Sequence, residues 1–131
     1  MANLDQNEMH DFKVRLRERA GQLRAEIRGT LDKAANETHA DIVKDVRDTE
    51  DDSFSNLIVD THLAEIDRDA GELRRIDGAL RRIAEGVFGQ CVDCGQDIPR
   101  PRLLAEPTAA RCVKCQELYE KTHAGTLTPS L

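Results

Sequence analysis

The stretch CVDCGQDIPRPRLLAEPTAARCVKC, residues 91–115, decides the fold: it holds every cysteine of the 131-residue chain, as two C-x2-C pairs separated by 17 residues. Zinc takes four tetrahedral ligands at about 2.3 Å from thiolate sulfur, and a two-residue gap lets both sulfurs of one pair turn toward a common point. Cys91, Cys94, Cys112 and Cys115 therefore read as one structural zinc site. A thioredoxin-like redox pair or two disulfides are the rival readings, and neither accounts for two equally spaced pairs in one short segment. Four cysteines fill the coordination shell and leave no position for a catalytic water, so the expected ion holds structure and does no chemistry. Between the pairs, Gly95 to Arg111 carries three of the four prolines and little that would form a core. Metal binding is expected to supply much of that segment's folding free energy.

Upstream of the cysteines the chain is helical in pattern. Met9, Phe12, Leu16, Ala20, Leu23, Ile27, Leu31 and Ala34 recur at spacings of three or four, and Thr38, Ile42 and Val46 keep the rhythm. A second stripe runs through Val59, Leu63, Ile66, Ala70, Leu73, Ile76, Leu80, Ile83 and Val87, and its mean step of about 3.5 residues is the coiled-coil period. Neither segment contains proline. Gly21, Gly29, Gly71 and Gly78 each cost about 1 kcal/mol relative to alanine inside a helix, which pairing of the stripes must offset. Two seams of similar length joined by a short polar segment are most simply satisfied by folding back on each other. Pairing in cis is favoured over a dimeric coiled coil by effective concentration, so a monomer is expected. The predicted fold is all-α: a long antiparallel helical hairpin, a C-terminal four-cysteine zinc finger and a short C-terminal helix. Arms of roughly 35 residues make an elongated rod about 50 Å long, turning near Asp48 to Ser53, with Ser53 or Ser55 capping the second helix. The expected divisions are residues 1–88 for the hairpin, 89–124 for the finger and short helix, and 125–131 for a flexible tail. That helix is expected to end near His123 and to pack Leu118 and Tyr119 on the finger, with His10, His39, His62 and His123 solvated or at the seam edge.

Composition agrees with narrow seams and not with a conventional globular core, since there is no Trp, one Tyr and three Phe against 34% charged residues. No apolar run approaches the roughly 20 residues needed to span a membrane, and Met1 to His10 lacks the apolar region of a signal peptide. A cytoplasmic location is expected, where thiols stay reduced.

Charge is unevenly spread. Between Asn36 and Asn56, Glu37, Asp41, Asp45, Asp48, Glu50, Asp51 and Asp52 face only Lys44 and Arg47, a net −5 of the chain's −6. Lys13 to Arg28 holds six basic residues against Glu18 and Glu26, and the finger adds Arg100, Arg102, Arg111 and Lys114. An acidic turn has an ordinary reading, because exposed loops are polar and Asp caps helices. The sharper reading is that a narrow hairpin places carboxylates inside a partner's cavity, near metal ions or basic groups. Direct nucleic-acid binding fits poorly with an isoelectric point near 5.2 and no aromatic platform for stacking on bases.

The finger pattern C-x2-C-x3-I-x3-R-x4-P-x4-C-x2-C, filled by Cys91, Cys94, Ile98, Arg102, Pro107, Cys112 and Cys115, resembles the DksA/TraR family of bacterial transcription factors. With the hairpin before it, the resemblance covers about residues 10 to 123. It implies a non-enzymatic regulator that binds RNA polymerase, passes its hairpin through the secondary channel and alters promoter open complexes. Family tips carry D-x-x-D-x-A; here Asp48 and Asp51 match and Ser53 replaces the alanine, which puts activity at the tip in question. Arg68 and Arg102 match docking positions, and Arg75 matches a basic position near the site for the alarmone ppGpp, a candidate phosphate contact. Glu106 and Gln116 stand where ppGpp-responsive members carry basic residues, so weak or absent ppGpp dependence is predicted. A Gre-like transcript-cleavage cofactor, whose tip carboxylates would help hold a catalytic metal, is the nearest rival, and a zinc-finger adaptor without polymerase is the third reading.

Overall fold

The structure is a computed structural model that describes residues 4–45 and 52–127, with side chains described for 4–36 and 60–123. Four helices account for most of these residues: α1 (Gln6–Asp45), α2 (Asp52–Glu85), α3 (Arg100–Ala105) and α4 (Val113–Leu127). Among the described residues the only extended pairing is one isolated antiparallel bridge, Gln90 with Asp97. The chain is therefore all-α, as its periodicity predicts.

The start of α1 and the end of α2 have local chemical reasons. Asp5 Oδ1 accepts the Glu8 N–H at 2.8 Å while Glu8 Oε1 reaches back to the Asp5 N–H at 3.5 Å, a reciprocal cap that satisfies donors at the start of α1. At the end of α2, Gly86 takes a left-handed φ of 77°. The Val87 N–H then bonds the Arg82 carbonyl at 2.9 Å and the Gly86 N–H bonds that of Ile83 at 3.1 Å, a Schellman stop. The predicted turn near Asp48 to Ser53 lies mostly outside the described residues. Ser53 and Ser55 both fall inside α2 and do not precede it, which corrects the expected capping role.

The chain forms two compact units. One comprises residues 17–75, where α1 and α2 run antiparallel: Arg19 pairs with Glu72 through Nε to Oε2 at 2.7 Å and Nη2 to Oε1 at 3.0 Å. A bidentate fork of this kind also fixes register. The pair lowers the Glu72 carboxyl below its usual range and raises Arg19, in both cases first through the hydrogen bond between them. Ala20 and Leu23 are buried here, but two expected seam residues are not. Leu31 is 52% exposed and Leu63 50% exposed, whereas Thr30 is half-buried and His62 only 8% exposed. Alternating steps of three and four place positions 23, 27, 30 and 34 on α1 and 62, 66, 69 and 73 on α2 toward the partner, so geometry overrides the greater hydrophobicity of the neighbouring leucines. His62 accordingly belongs to the seam, with Glu65 Oε2 at 3.9 Å from its Nδ1.

The other unit joins residues 1–16 to 76–131. Its core contains Phe12 and Leu16 of α1, Ile76 and Ala79 of α2, then Phe88, Ile98, Leu103 and Ala109. The Phe12 and Phe88 rings meet at 5.3 Å with planes tilted by 50°, a favourable aromatic arrangement. Ile98, Leu103 and Ala109 correct the expectation that the segment between the cysteine pairs offers little core. The short helix α3, opened by Pro99 and Pro101, turns Leu103 inward, while backbone bonds hold Ile98 to Gly89 at 2.7 Å before it and Ala109 to Glu106 at 3.0 Å after it. Val87, expected in the seam, is exposed, since the chain has already left the helix there.

Candidate metal centre and partner surface

Each cysteine pair is presented by a different local structure. Cys91 and Cys94 sit in a tight turn in which the Gly95 N–H bonds the Cys91 carbonyl at 3.0 Å and the Cys91 N–H bonds that of Gln96 at 2.8 Å. Gly95 completes it at φ 75°, a conformation that costs other residues. Cys112 lies just before α4 and Cys115 in its first turn, where the Gln116 N–H bonds the Cys112 carbonyl at 2.9 Å. The Val92 N–H reaches the Ala110 carbonyl at 2.9 Å and so ties the first pair to the approach of the second.

The four sulfurs lie within 4.8 Å of one another, with Cys94 and Cys112 at 3.9 Å. Two thiolates bound at about 2.3 Å to one tetrahedral zinc stand about 3.8 Å apart, so the set fits one ion with little rearrangement. Proton affinities fit as well. Burial opposes a thiolate at Cys91, but N–H groups of Cys94, Cys112 and Asp93 donate to its sulfur and bring it down to about 6. At Cys94 the Gln96 N–H favours the thiolate, yet neighbouring sulfurs, Cys91 foremost, push the group upward. Cys115 is pushed up to about 12, chiefly by Cys112 and then Cys91. Four adjacent sulfurs cannot all ionise unaided, and a divalent cation removes that conflict. The cofactor is one structural Zn²⁺, held by Cys91, Cys94, Cys112 and Cys115.

The remaining predicted residues are scattered across both units. Arg68 is exposed on α2, lining an open cleft of about 360 Å³ with Glu65 and Asp69 of its own helix and Glu26 and Lys33 of α1. Arg75 is exposed on the same helix, close enough to Glu72 to help hold that carboxylate ionised. Arg102 is half-buried in the other unit, its Nε donating to the Arg111 carbonyl at 3.0 Å, a bond inside the finger and not the hairpin ion pair that is its simplest alternative role. Asp48 and Asp51 lie outside the described residues; Ser53 falls in α2 with its side chain undescribed. Glu106 is exposed beyond α3, and the Gln116 amide donates to Glu120 at 3.1 Å.

Several structural residues had no motif to announce them. Arg111 Nε donates to Asp93 Oδ2 at 2.7 Å while its guanidinium lies 3.9 Å from the Tyr119 ring centroid, and Tyr119 stacks on His123 at 3.9 Å. Burial first, and Arg111 second, lower the proton affinity of Arg82, whose Nη2 donates to the Thr108 carbonyl at 3.4 Å. Arg100 bonds Glu8 at 3.0 Å and Arg15 Nη1 bonds the Leu104 carbonyl at 2.8 Å, anchoring α3 to the start of α1. Leu118 is 61% exposed, contrary to the expectation that it packs on the finger, because α4 turns Tyr119 inward instead. α4 also runs to Leu127, beyond the expected end near His123. Among the described residues no helix is long and apolar enough to cross a membrane.

Comparison with known proteins agrees with this geometry. Residues 86–121 match the family model for the prokaryotic dksA/traR C4-type zinc finger. An uncharacterised protein of Aquifex aeolicus is 48% identical over 58 residues, 44% of this chain and 39% of that protein. The RNA polymerase-binding transcription factor DksA of Caulobacter vibrioides is 31% identical over 120 residues, 90% of this chain and 80% of the relative. Transcription factor DksA2 from Pseudomonas aeruginosa superposes with a TM-score of 0.73 at 28% identity, covering 92% of this chain and 88% of that one.

Proposed function

Since this chain belongs to the DksA/TraR family, we propose that it is a non-enzymatic regulator of transcription that binds RNA polymerase and remodels promoter complexes. The observation that carries this reading is that likeness to DksA proteins runs through the helical pair as well as the finger. In this reading residues 1–88 are the reaching arm and 89–124 the docking head. The arm enters the secondary channel and brings Asp48, Asp51 and Ser53 to the active-centre region, where two added negative charges perturb bound metal and basic groups. Arg68 docks on the channel rim through its exposed guanidinium, while Arg102 contributes by shaping the finger as well as by charge. Arg75 is a candidate phosphate contact, yet Glu106 and Gln116 argue for a weak ppGpp response. The protein acts as a cytoplasmic monomer and does not read DNA sequence itself.

The deciding measurement is open-complex lifetime at a ribosomal RNA promoter with purified bacterial polymerase. Wild-type protein shortens it; Asp48→Asn/Asp51→Asn abolishes the effect while polymerase binding persists, and Arg68→Ala weakens binding. An unchanged lifetime with folded, zinc-loaded protein would overturn the proposal. Faster RNA cleavage in a backtracked complex would instead favour the Gre-like reading.

A further inference from the structure

We infer that Arg111 is the tie that holds the ligand-bearing segments together, and that it sets how long the finger retains its zinc. Arg111 directly precedes Cys112. Its Nε donates at 2.7 Å to Asp93, which lies between Cys91 and Cys94. Its guanidinium covers the ring of Tyr119 at 3.9 Å, four residues beyond Cys115 on α4. Its carbonyl accepts Arg102 Nε at 3.0 Å, adding α3 to the assembly. One residue thus touches both cysteine pairs' segments and the helix that carries the last ligand. The Arg111 side chain is 22% exposed and that of Asp93 47%, so the pair is held on the Arg111 side and open to water at Asp93.

Charge gives the arrangement a purpose. Four thiolates around one Zn²⁺ leave two net negative charges, and the Arg111–Asp93 pair ties the segments that carry them without adding to that charge. Arg82 lies near enough to Arg111 for the two cations to repel, a cost that Asp93 and the Tyr119 ring face offset. Groups that orient metal ligands from outside typically change metal affinity 10–100-fold. Lysine replaces the planar fork with a point charge and neither reaches Asp93 in the same way nor stacks equally on the ring.

The test is the rate of zinc transfer from full-length, zinc-loaded protein to an excess of a colorimetric chelator, with far-ultraviolet circular dichroism recorded on the same samples. Arg111→Ala should release zinc at least about tenfold faster, with Arg111→Lys intermediate and Asp93→Asn faster than wild type. The Arg111→Ala/Asp93→Asn double variant should be no faster than Arg111→Ala alone, because both remove the same ion pair. Arg100→Ala, which breaks the bond to Glu8 at the start of α1, should leave the rate unchanged. An Arg111→Ala rate within about twofold of wild type, multiplicative effects in the double variant, or equal acceleration by Arg100→Ala would each overturn the inference. If Arg111→Ala fails to fold, Arg111→Lys and Asp93→Asn carry the test, and wild-type rates in both would overturn it.

Discussion

Phe88→Ala should be among the most damaging single changes in the unit that contains the finger. The side chain is 0% exposed, its ring meets Phe12 at 5.3 Å, and Leu16, Ile76, Ile98 and Leu103 belong to the same core. Truncating a buried Phe to Ala typically costs about 3–5 kcal/mol, from lost transfer free energy plus the cavity left behind. About 0.5–1.5 kcal/mol of this should be specific to the aromatic pair. Whole domains are stable by only about 5–15 kcal/mol, so the variant should unfold at much lower denaturant. Urea titration at fixed, saturating zinc is the assay, because zinc that binds only the folded state adds its own stabilisation. Tyr119 is the chain's one tyrosine, there is no tryptophan, and it lies in the same unit, so its fluorescence reports on that unit while circular dichroism follows all helices. A loss below about 1 kcal/mol would show that Phe88 is not in a packed core, and a Phe12→Ala/Phe88→Ala cycle with coupling near zero would refute the ring contact itself.

Three further outcomes follow from particular contacts. The Glu72 carboxyl is depressed in the folded state, so its stabilisation is present above the ordinary carboxylate pKa of 4.5 and lost as pH falls through the lower folded value; thermal melts should show that Glu72→Gln lacks this acid-side component, and identical pH profiles would contradict it. Gly95→Ala meets no neighbouring atom within 4 Å, so its cost is the backbone strain of φ 75°, about 1–2 kcal/mol, read as a lower urea midpoint; a neutral result would show that the turn relaxes freely. Leu118→Ser should change stability by no more than about 0.5 kcal/mol by urea titration, because the side chain is largely in water; a core-sized loss would place it inside the fold.

The zinc site was legible because four thiols at fixed gaps form a chemical constraint that does not depend on the rest of the chain. The helical pair was legible in its period but not in every residue. Leu31 and Leu63 attracted the stripe by hydrophobicity, whereas alternating steps of three and four bring Thr30 and His62 to the seam. The finger's own core was missed because Ile98, Leu103 and Ala109 have no periodicity among prolines, and their burial is decided by distant Phe12 and Phe88. Arg111 gave no signal for the same reason: its partners Asp93 and Tyr119 are set by how the two cysteine pairs converge.

Phe12 and Phe88 are partners 76 residues apart in the chain. At ribosomal speeds of about 5–20 residues per second, the first must wait roughly 4–15 s for the second to be synthesised. Until Ile76 and Ala79 follow, which takes most of that interval, α1 can nucleate locally, but its apolar residues Phe12 and Leu16 have no hydrophobic cover from the unit they will join. This unit is therefore a late event in the life of a nascent chain, gated by the ribosome's progress and not by helix formation. A stalled or truncated product ending before Ile76 would carry an uncovered apolar stripe, the kind of surface on which chaperones and proteases act.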